Sequence, residues 1–293
     1  MSAEDSASRS QELKQAIVDD WDARAEKWEA WAPVVDDWFS PATALLLEQL
    51  EARPGHRVLE LAAGSGGFTR YLAGAVGPEG RVLATDTSPN MVKLAARNAL
   101  SQGLSNVTAR VMDGEHPDVA WASMDGIACR QGVMFFAEPQ EAFERLLPVL
   151  RPGGRLSVSV FTTGDRNGFL SVPGGILFRW AEPEGKAPPP AGGPGPFSLG
   201  RAGQLEGILE KAGYEDLRAK AVSCALKMPT VEDLLRFYQE IVGQLVKDLP
   251  PAQQEAAWAE VRASSARFVG PGASAPSEVL VASGRRPLIR RSA

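Results

Sequence analysis

The sequence predicts an α/β chain built on a doubly wound, mostly parallel, Rossmann-like sheet of seven strands with an antiparallel edge strand and helical lid insertions. Three observations predict it. Apolar strand-like runs alternate with helical runs from residue 57 to residue 161. Several of those strands are apolar along their whole length, as in a parallel sheet covered on both faces. A glycine turn, Ala63-Gly64-Ser65-Gly66-Gly67, joins the first strand directly to a helix. Right-handed crossovers place the C-termini of parallel strands along one edge. Ligands of open sheets bind at that edge, near the reversal of strand order.

Residues 57–64 read as the first strand. Glycine lacks a Cβ and tolerates positive φ, so the turn after it brings backbone within contact distance of a ligand. A helix over 67–76 follows, then a strand over 81–87 carrying Asp86, twenty residues beyond Gly66. A carboxylate at that spacing can accept both hydroxyls of a ribose. Ser88-Pro89-Asn90 opens a helix over 89–100, with Pro89 suited to an early helical position. Strands over 107–112 and 126–130, a helix over 139–150 and a strand over 155–161 complete the alternation. Gly64, Asp86, Asp113 and Arg130 all fall at predicted strand ends, so the fold gathers them at one edge.

Beyond Phe161 the rhythm breaks. Residues 164–200 hold Pro173, Pro188-Pro189-Pro190 and many glycines, and read as a long loop with a short apolar helix over 175–180. A helix over 201–213, a strand over 216–227, amphipathic helices over 231–247 and 252–268, and a last strand over 277–283 follow. The expected organisation is a helical cap at 1–40, a core at 41–163 continued at 201–230, lid insertions at 164–200 and 231–275, and a final strand with a basic tail at 276–293.

Length and composition set limits. A chain of 293 residues suits one large domain with insertions or a cap. A net charge of -5 and a pI near 5.3 argue against nucleic acid as the main partner, which requires clustered cations. Arg285, Arg286, Arg290 and Arg291 read as a solvated end. Cys129 and Cys224 are far apart and lack CxxC partners, so neither a metal site nor a disulfide framework is expected. No run approaches the ~18 apolar residues of a membrane span, and residues 1–10 lack the apolar core of a signal peptide. The expected location is cytoplasmic, as a monomer or homodimer. His56 and His116 are the two histidines.

Val58 to Thr69, Asp86, Val111-Met112-Asp113-Gly114 and Leu147-Pro148-Val149-Leu150-Arg151-Pro152-Gly153-Gly154-Arg155-Leu156 together resemble a class I S-adenosylmethionine-dependent methyltransferase, nearest to the ubiquinone and menaquinone C-methyltransferases. The resemblance runs from about Trp21 to Phe161. It implies a Rossmann-like sheet, S-adenosylmethionine as cofactor and a small organic acceptor. The family's acidic-x-Gly-x-Gly-x-Gly pattern stands here as Glu60-Leu61-Ala62-Ala63-Gly64-Ser65-Gly66, with Ala62 replacing the first glycine.

Carried onto matching positions, the resemblance places Glu60, Ala62, Gly64, Ser65 and Gly66 under the methionine half and ribose, with Asp86 and Thr87 at the ribose. Met91 lies against adenine, Asp113 accepts from the adenine amino group, and the Gly114 amide is nearby. Arg130 and Gln131 line the methionine end and the mouth of the acceptor pocket. Simpler roles stay open: Asp86 or Asp113 as caps, Met91 as core. Trp21, Trp28 and Trp31 are spaced seven and three apart, which puts them on one helical face. That face either packs on the core or closes over the site, with Trp28 at the cofactor and Trp21 and Trp31 at the acceptor. His116 is the titratable candidate for a base, or an exposed loop residue. Asp165, Arg166, Tyr238 and Glu240 lie in lid regions as candidate acceptor contacts. The other readings are O- or N-methylation, an NAD-dependent oxidoreductase, and a cofactor-binding protein that does not methylate. Gly64-x-Gly66-x-x-Thr69 lacks the third glycine of the dinucleotide pattern, which counts against the oxidoreductase.

Overall fold

The structure, a computed structural model, describes residues 3–185, 193–269 and 275–288. The Pro188-Pro189-Pro190 run and Arg290 and Arg291 lie outside the described residues. Seven strands, β1 (Arg57–Leu61), β2 (Arg81–Asp86), β3 (Val107–Val111), β4 (Met124–Arg130), β5 (Leu150–Phe161), β6 (Glu215–Leu226) and β7 (Ala275–Arg285), form one sheet in the order β3-β2-β1-β4-β5-β7-β6. β1 to β5 pair in parallel. β7 runs antiparallel between β5 and β6, so the antiparallel pairing lies at that edge. Strand order reverses between β1 and β4.

The sheet's centre is buried on both faces: Val58, Leu59, Leu61, Ile127, Ala128 and Cys129 are all at most 1% exposed. This explains why β1 and β4 are near-continuous apolar runs. At the N-terminus stand α1 (Ala3–Ala30), α2 (Ala32–Trp38) and α3 (Ser40–Leu50). Trp31 falls after the last residue of α1, at the N-cap of α2, so only Trp21 and Trp28 share the helix. Next come α4 (Thr69–Val76) and α5 (Pro89–Ser101), the latter capped by the Ser88 hydroxyl, which accepts from the Met91 amide at 3.1 Å. The predicted helix over 139–150 ends early as α6 (Pro139–Leu146), because a 3₁₀ turn at Leu147–Val149 follows and Leu150 already pairs with Met124. Pro148 within that turn has no N–H to continue a helix.

The region after β5 is more ordered than its composition suggests. α7 (Gly168–Ala181) is a 14-residue helix with Pro173 inside it. A proline there leaves the carbonyl four residues earlier without its intrahelical donor. That carbonyl belongs to Phe169, and the Tyr238 hydroxyl donates to it. α8 (Gln204–Lys211), α9 (Val231–Val242) and α10 (Pro251–Ser265) complete the helices. α9 and α10 each stop short of the predicted ends and finish in a 3₁₀ turn. No helix among the described residues is long and apolar enough to cross a membrane.

α1 is fastened to α5 by one carboxylate. Asp22 accepts from the Ser88 hydroxyl at 2.6 Å, from the Asn90 amide at 2.9 Å and from its side-chain nitrogen at 2.8 Å. These donors, the Ser88 hydroxyl first, hold the Asp22 carboxyl below its ordinary value of 3.8. A depressed carboxyl stabilises the fold above that value and loses its contribution as pH falls below it. Asp22→Ala should therefore cost about 1 kcal/mol at pH 7, and its difference from wild type in urea titrations should shrink progressively as the pH falls below 3.8. Tyr238→Phe strands the Phe169 carbonyl and should cost about 1–3 kcal/mol by the same measurement.

Candidate active site

The C-terminal ends of β1, β2, β3 and β4 open into one cavity of about 540 Å³, and Gly64, Asp86, Asp113 and Arg130 all line it. The volume lies within the range of cofactor and small-ligand sites. The turn after β1 is left-handed at Ala62 (φ +50°), Gly64 (φ +56°) and Gly66 (φ +92°). Asp86 fastens it: one carboxylate oxygen accepts from the Gly64 amide and the other from the Ser88 amide, both at 2.9 Å. Burial pushes the Asp86 carboxyl above its ordinary value, against the pull of the Ser88, Gly64 and Thr87 amides. Glu60 is 1% exposed and accepts from the Thr69 hydroxyl at 2.6 Å. Burial pushes it up to about 8, outweighing Thr69 and the Arg130 guanidinium. Two carboxyls that pay a desolvation penalty beside an empty volume make a cradle for a cation or for hydroxyl donors.

Beyond β3, the Glu115 amide donates to Asp113 at 2.9 Å, and Lys14 of α1 lies 3.1 Å from Glu115 and 3.7 Å from Asp113. Burial opposes the Asp113 charge, yet the hydrogen bond with His116, the Glu115 amide and Lys14 outweigh it and hold the carboxyl below its ordinary value. Gly114 lies close under the Phe136 ring, where a Cβ would come within 3.1 Å. Past β4, Arg130 binds Asp36 at 2.9 Å and the Thr43 hydroxyl at 3.2 Å. Gln131 takes φ +63°, with its amide donated to the Ser159 carbonyl at 3.0 Å. A Cβ on Gly132 would lie 2.3 Å from the Ala62 Cβ. The methyl of Ala62 thus occupies room that Gly132 leaves free.

α1 roofs the cavity. Trp21 and Trp28 meet edge to face at 5.4 Å, Trp21 meets Phe135 at 5.7 Å, and Met91 is buried against both tryptophans. A Cβ on Gly64 would lie 3.6 Å from the Trp28 indole nitrogen. Away from the strand ends the walls become aromatic. Trp38 stacks on Phe39 at 4.2 Å and faces Phe161 at 5.5 Å and Phe237 at 6.5 Å. Arg24 lines the roof where α1 meets α9; its guanidinium donates to the Ile241 carbonyl and to Asp20, and lies 4.4 Å over the Trp21 ring.

Of the residues expected at the site, Trp21, Trp28, Glu60, Ala62, Gly64, Asp86, Thr87, Met91, Asp113, Gly114, Arg130 and Gln131 line the cavity. Ser65 and Gly66 do not, because the turn folds back on α5. The Ser65 carbonyl accepts from Asn98, and a Cβ on Gly66 would lie 3.3 Å from the Ala95 backbone. His116 faces solvent at 56% side-chain exposure with its ring bonded to Asp113 at 2.8 Å, because its amide closes a turn onto the Asp113 carbonyl. Trp31 packs behind the wall, donating to Glu240 at 2.5 Å and meeting Phe237. Tyr238 is buried with its hydroxyl committed to α7, and Arg166 is 67% exposed. Sequence reasoning missed Arg24, Trp38, Phe39, Phe161 and Phe237. Phe161 ends a strand and Phe237 neighbours Tyr238 on α9, and those positions are the signals that could have found them.

Residues 58–154 match the methyltransferase domain family. The nocamycin O-methyltransferase of Saccharothrix syringae is 28% identical over 73% of this chain and 84% of its own length. The ubiquinone/menaquinone biosynthesis C-methyltransferase UbiE of Ectopseudomonas mendocina (strain ymp) is 34% identical over 40% of this chain, which spans 46% of that relative. Among solved structures, the [4+2]-cyclase SpnF superposes with a TM-score of 0.54 at 21% identity, covering 85% of this chain and 81% of the cyclase, a likeness of fold alone. The strand order, the glycine turn clamped by Asp86 and the matched residues 58–154 agree: the chain carries a methyltransferase domain on a class I methyltransferase fold.

Proposed function

We propose that the protein transfers a methyl group from S-adenosylmethionine to a flat small organic acceptor held in the aromatic chamber, at a ring carbon of an aromatic or heteroaromatic metabolite. One observation carries this reading: a single cavity runs from a carboxylate-lined strand edge to walls built by Trp38, Phe39, Phe161 and Phe237. Transfer to oxygen or nitrogen of a similar molecule is the second reading, favoured by the O-methyltransferase relative. Residues 41–163 would form the cofactor core and the segments 164–200 and 231–275 the acceptor lid, in a cytoplasmic monomer or homodimer.

In this reading Asp86 takes the ribose hydroxyls, Met91 packs against adenine, and Asp113 with the Gly114 amide reads the adenine edge. Glu60, Ala62, Gly64, Thr87 and Trp28 surround the ribose and methionine, and Arg130 and Gln131 close the methionine end. The cofactor supplies a methyl group already activated on a sulfonium, so the chain's task is alignment and exclusion of water. The aromatic faces favour both a cation and a flat acceptor. Among the described residues no histidine lines the cavity, so the alignment is not coupled to a histidine base.

Equilibrium binding should be measured for S-adenosylmethionine and NADH, followed by labelled methyl transfer to a panel of indoles, phenols and quinols. Tight NADH binding without the sulfonium cofactor overturns the reading; cofactor binding without transfer to any acceptor favours a non-methylating role. Asp86→Ala should weaken cofactor binding by about 1.5–3 kcal/mol, the worth of hydrogen bonds to a charged group. Glu60 adds a pH signature. With its carboxyl raised from 4.5 to about 8 it is mostly neutral at pH 7, and a bound cation pulls it down. Binding should then release protons, and affinity should rise from pH 6.5 to 8; calorimetry in buffers of different ionisation enthalpy should show this loss of protons, and Glu60→Gln should abolish it.

A further inference from the structure

Among the described residues three cationic side chains line the cavity: Lys14, Arg24 and Arg130. Lys14 is held by Glu115 and Asp113, and Arg130 by Asp36 and Thr43. Arg24 differs in place. It stands where α1 meets α9, bonded to the Ile241 carbonyl, in a cavity whose wall Phe237 and Val242 of α9 also line. Its side chain is 11% exposed and its only carboxylate partner, Asp20, is 37% exposed and shared with Gln244.

A guanidinium has five N–H donors. Among the described residues Nε donates to the Asp20 carbonyl, Nη1 to the Ile241 carbonyl and Nη2 to the Asp20 carboxylate. Each terminal nitrogen therefore keeps one N–H, a pair able to take two oxygens of one anion. The Trp21 ring beneath it and the Ile241 carbonyl fix the group in place, which lowers the entropy lost on binding. The carboxylates lining the cavity, Glu60, Asp86, Asp113 and Glu115, all stand at or just after strand ends. The cavity is thus acidic along the sheet edge and carries this cation in its roof.

Resting on the cofactor reading above, we propose that Arg24 is the anion-binding residue of the acceptor chamber, and that the acceptor carries a carboxylate or an ionised hydroxyl on a flat apolar body. The aromatic walls take the body, and the guanidinium takes the charge. An ionised phenol or enol spreads its charge over oxygen and ring carbon, so the proposal holds for either position of methylation.

The test compares a matched pair of probes, 1-naphthoate and 1-naphthamide, by calorimetry on the full chain with and without saturating S-adenosylhomocysteine. Naphthoate should bind wild type at least tenfold tighter than naphthamide. Arg24→Met should erase that preference while leaving naphthamide binding within twofold, and Arg24→Lys should keep part of it as a point charge. Equal binding of the two probes to wild type, absence of naphthoate binding, or a preference that survives in Arg24→Met overturns the proposal. The wild-type comparison needs no variant, so misfolding of Arg24→Met leaves it decisive. Failure of S-adenosylhomocysteine to bind overturns the cofactor reading separately, since the probe pair is also measured without it.

Discussion

The Asp86 carboxylate is the point on which the rest of the site depends. Its two oxygens take backbone amides from two different elements, Gly64 in the turn after β1 and Ser88 at the start of α5. Neighbouring parallel strands fix where each amide arrives, since Glu60 pairs with Ala84 in register. One side chain therefore holds the glycine turn open, aims the first turn of α5 and presents its remaining lone pairs to the cavity. Such a buried carboxylate is costly unless satisfied, which is why two amides are spent on it.

The same close fitting explains the departure from the family's glycine pattern. Alanine at a left-handed φ costs about 1–2 kcal/mol of backbone strain. Here the side chain points at Gly132, where no Cβ competes for the space. Gly66 answers a different demand, the approach of α5 through Ala95, and so belongs to helix packing rather than to the cavity wall. Spacing within one segment cannot separate these two uses of glycine, because they differ in what lies across from them.

How far the sequence reached follows the same division. The parallel sheet was legible because apolar strands and helices alternate, and the strand-end residues were legible because topology alone brings them together. The aromatic walls were not. Trp38 and Phe39 at the end of α2, Phe161 at the end of β5 and Phe237 on α9 lie far apart in the chain, and nothing in their spacing marks these three segments as neighbours. Tyr238 was misplaced for a related reason: its hydroxyl serves a carbonyl freed by Pro173, sixty-five positions away in sequence. Trp31 matched the helical period, but α1 ends one residue before it.

The bond from Tyr238 to the Phe169 carbonyl ties together segments that enter the chain on either side of β6. α7 and α9 both contribute to the cavity wall, through Leu170 and Phe237, and this bond joins them directly. A foreign segment grafted in place of either helix alone forfeits this bond, so the two are best exchanged as a pair.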